Sequence, residues 1–504
     1  MKRYATFFII AILTIALVSS LVSRERSKHE APAEVAEVKE APAADAGAEA
    51  GGLAAADDAG VATATLEAGA PKDDKPLRVT ALGWELVAAG AALAPPAGAP
   101  PGTSPTMELA PESSLDAIEA RLARGGADPQ GADIAVLPLP AFVASFERLR
   151  ALEPTVFLVV GFSHGREEVR ASAGALLKAP PAGDEVKLVA LGPTTMTDAT
   201  ARAAGSESAT LLGLFALDLL GVAPSRIQMV APGTPEAKAA SFAALVKGVP
   251  DERPRAFSTA DASRFVPIVA VAPKALLESR EVTVRDWSKA WIEGLSRAKS
   301  DVPGIARRLA AKEALPLAAS VGGAPEALVL VERLGQIENT GLDQQTSLIG
   351  PLAKGAVTLD SLTQRTWQLA RGAGITAVAA PAPLPIDARI VSTIAPPPKV
   401  APRPSEAPAD GDAGVSFGPL PAGAVAQVAY RAVDGDAEKV ASQIAFLADV
   451  FERGVFKITA KGGDKAARAI AAAAHEKGVA VARLAVAPGE PQGAFAVVDV
   501  LSPP

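Results

Sequence analysis

Short apolar runs alternate with amphipathic segments through the middle of the chain. The pattern predicts strands at 77–82, 107–110, 133–137, 156–161 and 226–230. Between and after them, helical spacing of apolar residues predicts helices at 114–124, 206–220, 235–247, 284–298 and 302–312. The first of these helices has Ser113 or Ser114 as its N-cap and Gly125 as its terminator. The repeated alternation indicates an α/β protein with mostly parallel sheets.

A second pattern occupies the C-terminal end of the chain. It predicts a βαβαβ arrangement with one further strand, in which strands at 425–431, 455–460, 483–486 and 495–501 flank helices at 437–451 and 464–477. A Pro/Ala-rich break at 395–421 precedes it. We therefore expect a linker over 395–421 and a separate small domain over 422–504.

The N-terminus begins with an apolar run. Residues 5–22 follow Lys2 and Arg3, and at 1.5 Å per residue they would span about 27 Å as a helix. There is no Ala-x-Ala cleavage site, and Arg24 and Arg26 follow at once. These features favour an uncleaved anchor in the inner membrane over residues 1–23, and a cleaved signal segment is the alternative. Either one would place the rest of the chain in the periplasm.

The charge of the chain is concentrated in one segment. Its 504 residues carry a formal net charge of −7, and residues 29–75 alone carry eleven acidic and three Lys side chains. With almost no large apolar residue, residues 24–75 are expected to be a disordered acidic linker. The remainder is nearly neutral, so no surface for nucleic acid is expected.

Composition and motifs limit the chemistry. The chain has no cysteine and only three histidines, His29, His164 and His475, so we expect no metal site. We find no Walker A loop, no H-E-x-x-H and no G-x-G-x-x-G after a strand. No cofactor is therefore expected.

The main body resembles a type II periplasmic solute-binding protein of the nitrate/sulfonate/taurine, thiamine-precursor-like group. The resemblance is carried by residues 124–126 with 132–135, by the Gly-Ser loop at 205–208 with the helix at 211–221, and by 284–309. It implies a solute-binding domain over 76–394. Lobe I would comprise 76–172 and 265–394, lobe II would comprise 173–264, and a ligand would lie between them.

The C-terminal pattern resembles a degenerate OmpA-like α+β domain, mainly at the turn 477–479. That family binds the peptidoglycan stem with an Asp and an Arg. Here the loop between Ala460 and Asp464 is short, and Ala466 stands near the Arg position, with Arg468 two residues later. We therefore expect the fold, and we do not expect peptidoglycan binding.

Candidate ligand contacts lie in three loops that follow strands. Ligands of α/β sheets gather at the carboxyl ends of strands, which selects the loops containing Trp84, Glu85, Ser163, His164, Ser206 and Ser208. Trp84 could stack on a ligand, Glu85 could pair with an amine, and the serines could bind a polar or anionic group. Ordinary core packing for Trp84 and helix N-capping for Glu85, Ser206 and Ser208 are the alternatives.

One motif suggests an enzyme. Gly161–Gly165 fits G-x-S-x-G after a strand, the context of a hydrolase nucleophile at Ser163. The downstream His475 lies in the separate C-terminal unit, and His164 is adjacent to the serine. We therefore do not expect an enzyme.

Together these patterns predict an extracytoplasmic solute-binding protein. Its two lobes would close over a small molecule for ABC-type uptake through a permease, or for signalling to an envelope protein. A ligand-free envelope scaffold is the alternative.

Overall fold

The structure is a computed structural model that describes residues 75–95, 107–190, 206–350, 353, 355–395 and 417–503. The predicted anchor at 5–22, nearly all of the acidic linker and most of the linker at 395–421 lie outside these residues. Among the helices that the structure describes, none has the length and apolar content needed to cross a membrane. The fold is a mixed α/β fold, as the sequence predicts.

Fifteen strands are formed by the described residues. They are β1 Leu77–Leu82, β2 Met107–Glu112, β3 Ile134–Pro138, β4 Pro154–Ser163, β5 Glu167–Ala171, β6 Val186–Val189, β7 Ile227–Val230, β8 Phe242–Val246, β9 Arg255–Ser258, β10 Pro267–Pro273, β11 Ile337–Asn339, β12 Val425–Ala432, β13 Val455–Ala460, β14 Leu484–Val486 and β15 Ala496–Ser502.

Fourteen α-helices accompany them in the same residues. They are α1 Ala88–Leu93, α2 Leu115–Arg124, α3 Leu139–Leu149, α4 Ser206–Leu219, α5 Pro235–Ala239, α6 Lys274–Ser279, α7 Glu281–Ser300, α8 Val302–Ala311, α9 Ala327–Gly335, α10 Leu342–Leu348, α11 Leu359–Gly372, α12 Arg389–Ile394, α13 Ala437–Val450 and α14 Gly463–Glu476.

The first sheet has six strands in the order β11-β4-β10-β3-β1-β2. Strand β1 pairs in parallel with β2 and β3, with Thr80 opposite Ala110 and Ala135. Strand β10 inserts between β3 and β4 and pairs antiparallel with both. Strand β11 also pairs antiparallel with β4, so three of the five strand pairings in this sheet are antiparallel and the prediction of mostly parallel sheets is wrong.

The second sheet has five strands in the order β7-β6-β8-β5-β9. Strand β6 pairs in parallel with β7 and β8, whereas β5 pairs antiparallel with β8 and β9. The predicted helix at 235–247 is wrong over its second half, where residues 242–246 form β8 between β5 and β6. The apolar run fits either structure locally, and pairing on both sides selects the strand.

The chain passes from one sheet to the other twice. The first crossing segment, residues 164–166, joins β4 of the first sheet to β5 of the second. The second crossing segment, residues 259–266, joins β9 of the second sheet to β10 of the first. The lobe boundaries at 172/173 and 264/265 stay predictions.

The C-terminal unit forms a third sheet with the order β12-β15-β13-β14. Strands β12 and β13 both pair antiparallel with β15, and β13 pairs in parallel with β14. Helices α13 and α14 bury Val440, Ile444 and Ile470 in the core. The predicted succession of strands and helices is confirmed here, and the OmpA-like assignment stays a prediction.

Candidate functional site

A cavity of about 680 Å³ lies between the first and second sheets. Its wall includes Gly83 and Trp84 after β1, Arg166 of the first crossing segment and Ser206 at the start of α4. The end of β2 with Glu112, the end of β8 with Lys247, and one side of α9 with Glu332 and Arg333 also belong to the wall. The residues that line the cavity therefore come from widely separated parts of the sequence. Several of them follow the carboxyl ends of strands, where ligands of α/β sheets gather.

Trp84 begins the 3-10 turn Trp84–Val87 that follows β1. Gly83 before it has φ 118°, and a Cβ there would come within 2.6 Å of Glu85 Oε1, so this turn requires glycine. Trp84 is 6% exposed and lines the cavity, and Lys312 Nζ lies 5.7 Å from its ring centroid. Most of the indole therefore packs into the protein, and a small part is available to an occupant.

Glu85 is a buried carboxylate that faces two arginines. Arg166 Nη1 donates to Glu85 Oε1 at 2.9 Å, and Arg333 Nη1 lies 3.8 Å from Glu85 Oε2. The Glu85 side chain is 1% exposed, so these contacts lie in a weakly screened environment. Glu85 therefore holds Arg166 at the cavity wall. Sequence reasoning did not select Arg166, although its position directly after the G-x-S-x-G stretch is a usable signal.

Ser163 lies at the end of β4 and is hydrogen-bonded inside the protein. Its Oγ donates to Glu167 Oε2, and Thr259 Oγ1 donates to the same oxygen at 3.0 Å. Ser163 is 3% exposed and is absent from the wall of the cavity in the part of the chain that the structure describes. The structure therefore does not bring Ser163 to the cavity with Trp84 and Ser206.

Glu167 is fully buried beneath the first crossing segment. Burial raises the pKa of its carboxyl group, and the Arg166 guanidinium and the hydrogen bonds from Ser163 and Thr259 oppose that rise. Within the described residues, Ser163 Oγ is thus bonded to a carboxylate and not to a histidine. Among the described residues, Ser163 therefore lacks the histidine partner that usually activates a hydrolase serine.

His164 follows Ser163 on the first crossing segment. Its backbone N–H donates to the Gln336 carbonyl oxygen at 2.8 Å, and its Nδ1 lies 3.7 Å from Glu338 Oε2. Its side chain is 42% exposed. His164 is absent from the cavity wall among the described residues, so a role in ligand contact stays a prediction.

Ser206 and Ser208 lie in the first turn of α4. Both are buried, and within the described part of the chain neither Oγ has a hydrogen-bond partner. Ser206 lines the cavity, whereas Ser208 does not. Among the described residues, Ser206 Oγ can therefore hydrogen-bond an occupant of the cavity, and such a bond would offset the cost of burying a hydroxyl without a partner.

The mouth of the cavity carries paired charges and apolar side chains. Lys247 Nζ, beyond the end of β8, lies 3.0 Å from Glu332 Oε1 on α9. Val249 and Val329 also line the cavity and are 37% and 40% exposed. Over the described ranges, no three His, Asp or Glu side chains come together as metal ligands. The mouth therefore combines apolar side chains with one ion pair.

No protein-family profile and no curated protein matches this chain. Among solved structures, the periplasmic aliphatic sulphonate binding protein SsuA from Escherichia coli is similar with 14% identity over 67% of this chain and 97% of that chain, with a TM-score of 0.39. The putative sulfonate-binding SsuA from Methylobacillus flagellatus KT has 14% identity over 64% and 94%, with a TM-score of 0.40.

The periplasmic nitrate-binding protein NrtA from Synechocystis PCC 6803 is also similar, with 12% identity over 54% of this chain and 73% of that chain and a TM-score of 0.34. All three of these structures are of periplasmic binding proteins.

Proposed function

We propose that this chain is an extracytoplasmic solute-binding protein that holds a small polar or anionic molecule between two α/β lobes. The observation that carries the proposal is the cavity of about 680 Å³, to which Trp84, Arg166 and Ser206 contribute from separate parts of the fold. Its volume lies within the range of about 300–1,000 Å³ typical of small-molecule sites.

The cavity offers the three kinds of contact that such a ligand needs. Arg166 and Arg333 supply positive charge, and Glu85 offsets part of it. Ser206 supplies a hydroxyl that has no hydrogen-bond partner among the described residues, and Trp84 supplies part of an aromatic side chain. A polar head against Arg166 and Ser206 with an organic part near Trp84 would satisfy all three.

Ligand binding would favour a closed arrangement of the two lobes. The two crossing segments are the short connections between the sheets, and the paired Lys247 and Glu332 lie across the mouth of the cavity. A ligand that contacts both sides would favour the closed arrangement, because only that arrangement gives it both sets of contacts.

A thermal-shift screen of small organic acids, including alkanesulfonates, and of inorganic anions tests the proposal. For a compound that raises the melting temperature, we expect Ser206→Ala to weaken binding by about 2- to 12-fold, the effect of one hydrogen bond. Ser208→Ala is the matched comparison, because it removes a hydroxyl that is also buried and has no partner in the described part of the chain, but that lies outside the cavity wall.

Two outcomes would count against this function. Equal losses of affinity in the Ser206→Ala and Ser208→Ala variants would show that the compound does not bind in this cavity. If no compound in a broad screen raises the melting temperature, the ligand-free envelope scaffold becomes the better interpretation.

The proposal includes a place in the cell. The apolar run at 5–22 would keep the chain in the inner membrane with its body in the periplasm, where an ABC permease or an envelope protein would receive the ligand or the signal. Membrane fractionation with N-terminal sequencing tests this part, and a soluble product that starts near Arg24 would overturn it.

A further inference from the structure

The C-terminal unit contacts the second crossing segment through polar groups at several points. Glu452, just after α13, pairs with Arg264 at 2.5 Å and accepts a hydrogen bond from Ser263 Oγ at 3.2 Å. The Arg264 backbone N–H donates to the Val450 carbonyl oxygen at 3.4 Å. Both side-chain and main-chain atoms of the crossing segment are therefore bound by this unit.

A second polar contact lies at the start of the same segment. Asp261 Oδ2 accepts the Ser258 backbone N–H at 2.8 Å, which fixes the turn after β9. The other carboxylate oxygen of Asp261 accepts a hydrogen bond from Gln427 of β12 at 3.0 Å. The turn and the C-terminal sheet thus share one carboxylate.

Aromatic contacts extend the same surface toward the second sheet. Phe257 of β9 and Phe451 after α13 have ring centroids 5.7 Å apart. Phe215 of α4 lies 6.4 Å from Phe446 of α13 in an edge-on arrangement. Phe215 also stacks at 4.1 Å on Phe265, which belongs to the second crossing segment. The segment is therefore packed between α4 and the C-terminal unit.

The C-terminal unit also contacts the side of the molecule that belongs to the first sheet. Asp449 Oδ2 accepts the backbone N–H groups of Ala356 at 2.9 Å and Val357 at 3.2 Å, just before α11. Helix α11 packs through Trp367 against Phe146 of α3, with ring centroids 5.0 Å apart. The C-terminal unit is thus bound both to the second crossing segment and to residues 356–357, which precede the helix α11 that packs on α3.

We propose that the C-terminal unit restrains the movement of the two lobes by holding the second crossing segment. A hinge movement changes backbone angles in the few residues that join two rigid parts. In this chain Asp261, Ser263 and Arg264 cannot change position without breaking contacts with Gln427, Glu452 and Val450. The unit therefore acts as an intramolecular regulator of lobe opening, and this role does not depend on which molecule the cavity binds.

The charge reversal Glu452→Arg tests the restraint in the full-length protein, because it places two arginines against each other. We expect backbone amides of residues 258–266 to exchange hydrogen about fivefold faster or more, since an exposed ion pair is lost and repulsion is added. Glu438→Arg is the matched control. It reverses a carboxylate on the same α13 whose partner, Lys477, belongs to the C-terminal unit itself.

The swap Arg264→Glu with Glu452→Arg restores the pair with its charges exchanged. It should return the exchange rates toward those of the parent protein. If the double variant exchanges hydrogen as fast as Glu452→Arg alone, the faster exchange reflects a general loss of packing. That result would overturn the role assigned to the ion pair.

A distance measurement tests the consequence for the lobes. The chain has no cysteine, so Glu236→Cys on α5 and Lys289→Cys on α7 give two specific spin-label positions, both exposed. Without any ligand, we expect the distribution of label-to-label distances, measured by double electron–electron resonance, to broaden in Glu452→Arg. In Glu438→Arg the distribution should stay unchanged. An unchanged distribution in Glu452→Arg would overturn the proposal. Because no ligand is added, that result is distinct from failure of the cavity to bind one.

Discussion

Glu167 is a carboxylate that the fold removes entirely from water. Burial raises its pKa above the ordinary value of 4.5, so the folded protein keeps a proton that the unfolded chain releases. The unfolded state then binds fewer protons, and the free energy of unfolding falls as pH rises from about 4.5 through the raised pKa, by up to about 1.4 kcal/mol per pH unit.

We expect Glu167→Gln to reduce this fall, because the amide does not ionise and keeps the shape of the side chain. Urea denaturation at a series of pH values from 4.5 upward measures it. Glu438→Gln, which changes an exposed carboxylate, should follow the pH dependence of the parent protein. The same pH dependence in Glu167→Gln and in the parent would contradict the burial argument.

Sequence reasoning found part of the candidate site at the level of residues. Strand-end position selected Trp84 and Ser206, and both line the cavity. It selected Ser163 by the same rule, but that hydroxyl donates inward to Glu167. Arg333 was not found, because it reaches Glu85 only through the folding of α9, about 250 residues later in the chain. Long-range placement of this kind leaves no local pattern.

At the scale of elements, α1 and α7 approach each other closely at Gly294. A Cβ at Gly294 would come within 2.3 Å of the Ala89 carbonyl oxygen, which is backbone and cannot turn away. Alanine favours a helix over glycine by about 1 kcal/mol, but overpacking of this kind costs about 1–3 kcal/mol. We therefore expect Gly294→Ala to lower the free energy of unfolding, as measured by urea denaturation.

Gly335→Ala is the control for that substitution. Gly335 ends α9, and a Cβ there would meet no atom within 4 Å. Helix propensity alone should then act, so stability should be unchanged or slightly higher. A stabilised Gly294→Ala variant would show that α1 and α7 can separate without cost.

The elements that the sequence predicted well carry their own local signals. Helix α2 begins after Ser114, whose Oγ accepts the Ala117 N–H at 3.3 Å, and ends at Gly125 with φ 73°. Both features are readable from the chain. Strand β8 was mispredicted as a helix because its partners β5 and β6 are distant in sequence, and only their pairing decides its structure.

At the scale of the whole molecule, the sequence predicts a C-terminal unit that is more independent of the rest of the chain than the structure shows. The Pro/Ala-rich segment at 395–421 predicts an independent domain on a linker. The structure shows its α13 side packed on α4 and on the second crossing segment. Composition reveals a boundary in the chain, whereas contact across that boundary depends on surfaces that form only after folding.

This contact surface predicts that the C-terminal unit remains bound when the chain is cut. A protease site inserted after Pro404, which lies outside the described residues, allows cleavage of the purified protein. We expect the two fragments to elute together in size-exclusion chromatography, because aromatic contacts and the Arg264–Glu452 pair join them without the linker.

Phe446→Asp should release the C-terminal fragment after cleavage, since it places a carboxylate against the Phe215 ring in the contact surface. Glu438→Arg on the same helix should not, because its ion pair with Lys477 lies within the fragment. Circular dichroism of each variant before cleavage shows whether it has folded. If the fragments of the parent protein separate, the linker and not the contact surface keeps the unit in place, and the unit could not restrain the second crossing segment by contact alone.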